Sequence, residues 1–418
     1  MNRVSDGIVL SNSETRKTLP EAVYSFVLND PGNSKPETYY IAVPAEYKSW
    51  LSTSLDPSLP IGLLRAMVRG KALSVEGPVD PIWASRIENE WQRLLFFDFV
   101  GLRHVPVTFS SYDSVERSTP VAHVLAFSGG VDSTYSLLHL LERAKKSAPA
   151  ITHLLFISYE RFSHVSAPRL ARIQQAASEL GLPLISVRTN VDAAFVEPVS
   201  PNYWLYTKIH EILFVAVASA LGRNSVNFYF SSTHSVETMK TIDRYQSSNS
   251  LALFFSWASW GSISLHVEGA GVTRFQKIAA IANSPLAQRT LDVCDASFTG
   301  KKRNCSRCMK CSHTLVTLDA LGATSGFEEL FDIGMFQNNR TRTYLRVVAS
   351  GRPIAREITE SLRKHVGPTP FIVRLILTAR LDFLISWPSK IFQSTKVWAL
   401  EHAFSRKIVR SLQRRRDS

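Results

Sequence analysis

The sequence predicts an α/β protein: a parallel five-stranded sheet with helices on both faces over residues 119–325. An α+β unit at 1–118 precedes it and a helical region at 326–418 follows. Three observations carry this prediction. Five short apolar runs between residues 123 and 268 alternate with segments of helical period. Several of those runs are continuously apolar rather than alternating, as strands covered on both faces require. The pattern begins after a polar stretch, "DSVERSTP", and stops at a knot of cysteines.

In chain order, the runs "TYYIAVPAEY", "KALSVEG" and "HVPVTFSSY" predict strands in the first unit. "PIWASRIENEWQRLLFF" predicts a helix that starts at Asp80-Pro81. No chemical motif appears there. The strands of the central region are expected at 123–127, 152–158, 182–189, 225–231 and 262–268, with helices at 133–146, 168–181 and 203–221. After Phe331 the chain is helical in pattern and arginine-rich, and Pro353, Pro368, Pro370 and Pro388 punctuate it.

Composition narrows the class. Of 418 residues, 45% are apolar and 20% charged, which is ordinary globular chemistry rather than disorder. The N-terminal residues contain no apolar signal-peptide core. The most apolar windows, Glu211 to Gly222 and Phe371 to Trp387, are too short or are broken by Arg374, Arg380 and Asp382. No transmembrane segment is expected, and a soluble cytoplasmic protein is. The net charge of +13 is concentrated: residues 331–418 hold 17 Lys/Arg against 6 Asp/Glu, and the preceding residues 31 against 29. An acidic partner (RNA, protein or a lipid surface) is expected at this basic C-terminal region, with a solvated helix from Arg406 to Arg416 as the alternative.

The stretch "HVLAFSGGVDSTYSLLHLL" places Ser128-Gly129-Gly130-Val131-Asp132-Ser133 between an apolar strand and an apolar helix. Two glycines let a ligand approach the main chain, and the helix N-terminus offers N–H groups and positive dipole to an anion. Ser128 and Ser133 add hydroxyls. Asp132 beside phosphate requires a cation between them, and Mg²⁺ is the fitting one. The competing motifs are absent: no lysine follows the glycines as in a Walker loop, and neither G-x-G-x-x-G nor G-x-S-x-G occurs here. A bare capped turn is the structural alternative.

S-G-G-x-D-S after a strand resembles the PP-loop of the ATP pyrophosphatases. The resemblance implies an adenine nucleotide alpha hydrolase-like fold and cleavage of ATP between its α- and β-phosphates. A substrate oxygen attacks the α-phosphorus, and the adenylate is then displaced by a nucleophile such as ammonia or sulfide. It implies that Ser128, Gly129, Gly130, Val131, Asp132 and Ser133 hold pyrophosphate and Mg²⁺, with Asp132 and Ser133 taking part in catalysis. Ser158, at the end of the second strand, would lie near adenosine. It also implies a phosphate-contacting lysine in the helix after the fifth strand, which Lys277 matches; a solvated helix face is the alternative.

All four cysteines fall within one segment, Cys294, Cys305, Cys308 and Cys311, spaced C-x10-C-x2-C-x2-C. Four thiolates complete a tetrahedral Zn²⁺ shell and leave no open position for substrate, so a structural site is expected. An Fe–S cluster is the rival. Lys301, Lys302, Arg303, Arg307 and Lys310 favour thiolates electrostatically.

A PP-loop followed by such cysteines is similar to the 7-cyano-7-deazaguanine synthases (QueC-like proteins) over roughly residues 120–320. That family activates a carboxylate on a deazapurine and converts it with ammonia to a nitrile. Its tyrosine-proline-aspartate-cysteine-arginine segment has no counterpart, since this chain reads "YQSSNSLALFFSW" there. The chemistry therefore transfers better than the substrate: adenylation of a small-molecule carboxylate or amide, then attack by ammonia or another amine. The extra regions resemble divergent members found in biosynthetic or anti-phage defence systems. ATP-dependent sulfur insertion into tRNA or a metabolite, and a non-catalytic ATP-binding subunit of a defence complex, are the alternatives.

On the substrate side, Thr233 and His234 follow the fourth strand, with His234 either a general base or a turn-capping residue. Arg274 opens the helix that carries Lys277. Glu268 offers a second cation ligand. The aromatic run 253–260 either stacks on a flat heterocycle or packs in the core, and His210 is expected to be structural.

Overall fold

A computed structural model describes residues 7–12, 20–31, 33, 35–98, 102–114, 121–160, 163–196, 210–223, 226–241, 259–261, 263–294, 302–365 and 367–381. Its contacts divide the chain into two compact units: residues 1–272 with 290–292, and residues 273–289 with 293–418. The contacts thus do not divide at the expected boundaries of 118/119 and 325/326.

The first unit is built on one sheet. Its strands are β1 (Ile8–Asn12), β2 (Glu21–Asn29), β3 (Glu37–Pro44), β4 (Leu73–Val79) and β5 (Val107–Tyr112). They are followed by β6 (Ala122–Ala126), β7 (His153–Tyr159), β8 (Leu184–Thr189), β9 (Val226–Ser231) and β10 (Ile263–Glu268). Across the sheet the order is β10-β9-β6-β7-β8-β3-β2-β1-β4-β5. The five strands expected in the central region exist and pair in parallel. The expected five-stranded sheet, however, is corrected to a ten-stranded mixed one. Strand β3 joins β8 antiparallel, with Ile41 opposite Thr189 and Ala42 opposite Arg188. An exposed β8 edge would present unpaired N–H and C=O groups, and the first hundred residues cover it. The join is reinforced by Asn190, which accepts from the Tyr40 N–H at 2.9 Å and donates to the Thr38 carbonyl at 3.2 Å. Ile41, Ala42 and Val43 are all fully buried, as in a strand with both faces covered.

The N-terminal helix expected at Asp80-Pro81 is present as α2 (Pro81–Arg86), continuing through a π turn into α3 (Gln92–Asp98). Asp80 caps it by accepting from the N–H groups of Ile82 and Trp83, both at 2.9 Å. Helix α1 (Leu59–Arg69), unforeseen in the sequence, buries nine of its residues and ends at Gly70, φ +65°.

In the parallel half, helices α4 (Val131–Ala144), α5 (Ser163–Glu179) and α7 (His210–Ala220) lie between successive strands, with the short α6 (Ala193–Val196) before α7 and α8 (Val236–Thr241) after β9. Taken in chain order, the parallel strands run third-second-first-fourth-fifth. The direction of winding therefore reverses at β6, which has β7 on one side and β9 on the other. A crevice opens at such a reversal beyond the strand C-termini, the usual ligand position in open α/β sheets.

The second unit is helical: α9 (Arg274–Ile281), α10 (Pro285–Thr290, whose last residue falls in the first unit), α11 (Met309–Ala320), α12 (Ile333–Asn338), α13 (Arg340–Ala349), α14 (Pro353–Lys364) and α15 (Phe371–Thr378). Helix α11 is its centre, buried from Cys311 through Ala320. The Tyr344 hydroxyl donates to Asp319 at 2.8 Å and Arg340 pairs with the same carboxylate at 2.8 Å, locking α13 onto α11. Among the described residues no helix is long and apolar enough to cross a membrane.

Candidate functional site

The glycine-rich turn lies at the C-terminal end of β6, where the winding reverses. The strand is anchored to the end by the Phe127 N–H, which donates to the Leu155 carbonyl at 2.8 Å. Gly129 then takes φ +73°, a conformation that strains any side-chain-bearing residue. Gly130 is the N-cap of α4 and, as a glycine, has no side chain with which to cap it. Inside the turn, the Ser133 Oγ accepts from the Ser128 N–H at 3.3 Å and donates to the Gly130 carbonyl at 3.2 Å. The Ser128 and Ser133 hydroxyls stand 3.3 Å apart. Ser133 and Val131 are buried, Asp132 is half-buried and Ser128 is exposed. The turn thus leads into a 14-residue helix whose N-cap residue supplies no side-chain cap to its N-terminal dipole.

Three residues outside any sequence motif back this turn. The Asp292 N–H donates to the Gly129 carbonyl at 2.8 Å, which fixes the positive-φ turn. The Asp292 carboxylate is 5% exposed and is held by Arg169 at 3.0 Å on one oxygen and by Arg172 on the other. Both arginines come from α5, three positions apart and therefore on one helix face. They line a small cavity with Phe127, Gly129 and Asp292. Two guanidiniums against one carboxylate leave surplus positive charge directly behind the glycines. The spacing of Arg169 and Arg172 was a visible signal; Asp292, distant in sequence, carried none.

The other C-terminal strand ends of the parallel half share this edge of the sheet. Ser158 is half-buried as the penultimate residue of β7, opposite Arg188. Thr233 and His234 follow β9. Thr233 is half-buried and His234 is 8% exposed, packed inward rather than open to the edge. Next to them Ser235 accepts from the Thr238 N–H at 3.1 Å and starts α8. Glu268, at the end of β10, is engaged by His139 at 3.3 Å and Arg143 at 3.1 Å, so its carboxylate serves an ion pair.

Arg274 and Lys277 belong to the second unit. A reciprocal capping box starts α9: Thr273 accepts from the Gln276 N–H, and Gln276 from the Thr273 N–H. The Arg274 N–H donates to Glu357 at 2.9 Å. Lys277 is 1% exposed and Arg274 8%, so the expectation of a solvated helix face does not hold for either.

In the same unit the sulfurs of Cys294, Cys305, Cys308 and Cys311 all lie within 4.8 Å of one another. Cys305 and Cys311 Sγ are 3.8 Å apart. Four sulfurs at ~2.3 Å from a tetrahedral ion stand about 3.8 Å apart, so the geometry is compatible with zinc. The chain around them is shaped for thiolates. The Cys308 N–H donates to Cys305 Sγ at 3.2 Å, and the Cys311 N–H to Cys308 Sγ at 3.4 Å at the N-terminus of α11. Ser306 sits at φ +56°, the tight bend between Cys305 and Cys308, with its hydroxyl accepting from the Asp332 N–H at 2.9 Å. Buried Asn304 accepts from the N–H groups of Val293, at 2.8 Å, and Cys294, at 3.2 Å. The neighbouring Cys308 thiol and burial push the Cys311 thiol far above its ordinary range. A cation among the sulfurs reverses that preference.

His313 is not part of the sulfur cluster. It is 5% exposed, its Nε2 has no hydrogen-bond partner, and burial together with Arg274, Arg352, Arg346 and Lys310 pushes its pKa down to about 3. The ring is neutral at physiological pH.

Of the aromatic run 253–260, Trp260 is buried and stacks on Trp83, 3.9 Å between centroids and 5° between planes. That favours core packing over a ligand platform at this residue. Residues 253–258, the "YQSSNSLALFFSW" segment, the His210 side chain, Lys301 and the tail from Arg406 to Arg416 lie outside the described residues. No protein-family model matches the chain, and no curated protein matches it.

Proposed function

We propose that this chain is a PP-loop ATP pyrophosphatase that adenylates a small-molecule carboxylate or amide and passes it to ammonia or another amine. The observation that carries the proposal is the position of Ser128–Ser133. The sequence S-G-G-V-D-S occupies the end of the strand where the sheet winding reverses, with a positive-φ glycine and a second glycine at the N-cap of the helix that follows. Phosphate oxygens match the donors of such a turn in charge. In this reading the turn holds the β- and γ-phosphates as the leaving pyrophosphate, with Ser128 and Ser133 donating hydroxyls. Mg²⁺, carried by Asp132 and the phosphates, supplies charge neutralisation. Arg169 and Arg172, behind Gly129, add positive potential as charge develops on the leaving group. Ser158 would lie near adenosine and Thr233 on the acyl side, where His234 would have to turn outward from its buried position to reach substrate. No protein nucleophile is required: the substrate oxygen attacks the α-phosphorus, pyrophosphate departs, and the amine displaces AMP from the acyl carbon.

Zinc on the four cysteines is the structural partner of this chemistry, since a filled sulfur shell leaves no position for a reacting group. It also disfavours sulfur insertion carried by the chain itself, because all four of its cysteines are in the cluster.

The test supplies α-labelled ATP, Mg²⁺, ammonia and a panel of small acids to the wild-type protein and to Asp132→Asn. AMP and pyrophosphate from the wild type alone are expected. ADP as the product overturns the mechanism. Lys277→Gln in the same assay tests the phosphate role that the resemblance gives that lysine.

A further inference from the structure

Helix α15 is apolar on two opposite sides, and among the described residues only one of them is buried. Val373 and Leu377, one turn apart, are buried in the second unit. Phe371 and Leu375, also one turn apart, and the adjacent Ile372 project outward and are 82%, 52% and 46% exposed. Leu381, just past the helix, is 42% exposed. Arg374 and Arg380 are exposed beside them. No acidic residue occurs from Ser361 to Leu381. The sequence then continues in the same composition: residues 382–418 hold eight Lys/Arg against three Asp/Glu, with Trp387 and Trp398 among five aromatic residues.

We infer that this face of α15 docks on an anionic lipid surface. An aliphatic and aromatic strip beside Arg374 and Arg380, in a stretch where Glu360 and Asp382 are outnumbered by Arg363, Lys364 and these two arginines, matches the boundary between acyl chains and negatively charged headgroups. The apolar side chains enter the boundary while the guanidiniums stay at headgroup level. Nucleic acid fits less well. Three of the four outward apolar residues are aliphatic and offer a base neither a hydrogen bond nor a ring to stack on. An eight-residue helix makes this a shallow, reversible contact that needs both the apolar strip and the positive charge. The inference does not depend on ATP chemistry, because the contact requires no nucleotide.

The experiment sediments the full-length zinc-loaded protein with vesicles of phosphatidylcholine alone, and with vesicles of equal parts phosphatidylcholine and phosphatidylglycerol. Binding to the mixed vesicles only, weakened by salt, is expected. Replacing both Phe371 and Leu375 by Ser is expected to lower partitioning by about tenfold or more, with zinc content and thermal midpoint unchanged. Failure of the wild type to bind anionic vesicles overturns the inference, and so does unchanged binding by the double variant. Two further outcomes also overturn it. A wild-type dimer that the double variant converts to monomer assigns the face to a second copy of the chain. Loss of binding to a labelled RNA, with vesicle binding retained, assigns it to nucleic acid.

Discussion

The glycine turn and the cysteine cluster are both short motifs rich in one residue type, yet the fold treats them in opposite ways. Around the cysteines the chain closes on itself. Backbone N–H groups point at sulfurs, Asn304 ties the segment before Cys294, and Ser306 bends the chain to bring two thiols together. Around Gly129 the backing is equally firm, but the residue at the start of α4 is Gly130, which has no side chain with which to cap the helix. The cysteine segment turns its backbone donors onto its own sulfurs, whereas the N-cap of α4 offers its helix no side-chain acceptor.

The largest effect expected to sharpen this contrast comes from the metal. Structural zinc contributes on the order of 10 kcal/mol to small folds. Cys308→Ser, or a strong chelator, should therefore unfold the second unit, read as loss of its helical signal in circular dichroism. Asp132→Asn should abolish AMP formation while the melting curve stays in place. A chelator-insensitive melting curve would break the comparison.

The Arg169–Asp292–Arg172 triad comes next. Substituting both arginines by Met leaves a buried carboxylate without its cations, a loss of about 3 kcal/mol, measurable by urea denaturation. Adding Asp292→Asn should restore most of that stability without restoring AMP formation. Full recovery of activity would remove the arginines from the phosphate site.

A control from the same unit follows. Burial raises the Asp56 carboxyl to about 6, against lowering by hydrogen bonds from the Asp80 N–H and from Ser54. A folded-state value above the unfolded one means that folding holds the proton. The penalty is therefore absent below the ordinary carboxylate value of 3.8 and fully developed above about 6. Unfolding free energy should fall by about 3 kcal/mol across that window in the wild type relative to Asp56→Asn, which has no proton to lose. Parallel pH profiles for the two proteins would refute it.

The smallest effects lie in the two glycines. Gly129→Ala forces a side chain into φ +73° and should cost about 1–2 kcal/mol. A Cβ on Gly130 meets nothing closer than the Ser128 Oγ at 3.5 Å, so Gly130→Ala should leave the melting temperature nearly unchanged. If that variant also loses nucleotide binding, the space at Gly130 belongs to the ligand; retained binding would count against close approach there.

Most of the parallel half was legible because each buried strand and each covering helix announces itself locally. The loop and the cysteines were legible for the same reason: each is a contiguous signature. The ten-stranded sheet was not, because the pairing of Ile41 and Ala42 with Thr189 and Arg188 joins residues some 150 positions apart through backbone groups that any sequence possesses. A hint was present in β3, whose Ile-Ala-Val run is buried on both faces rather than alternating. Strand β2 went unread although it alternates buried and half-buried residues along almost its whole length. Asp292 was beyond reach for a different reason. Its role depends on a glycine carbonyl and two arginines that only the folded chain brings to it.

The short passage Thr290–Asp292 belongs to the first unit, while the chain on either side of it belongs to the second. No single cut in the gene can therefore release either unit whole. A fragment ending at Val272 would lack the Asp292 strap that steadies Gly129, and one beginning at Val293 would lack α9. During synthesis the glycine turn emerges early but must wait more than 150 residues for its last tether. The order of translation thus delays completion of the glycine turn until Asp292 has been made and released from the ribosome.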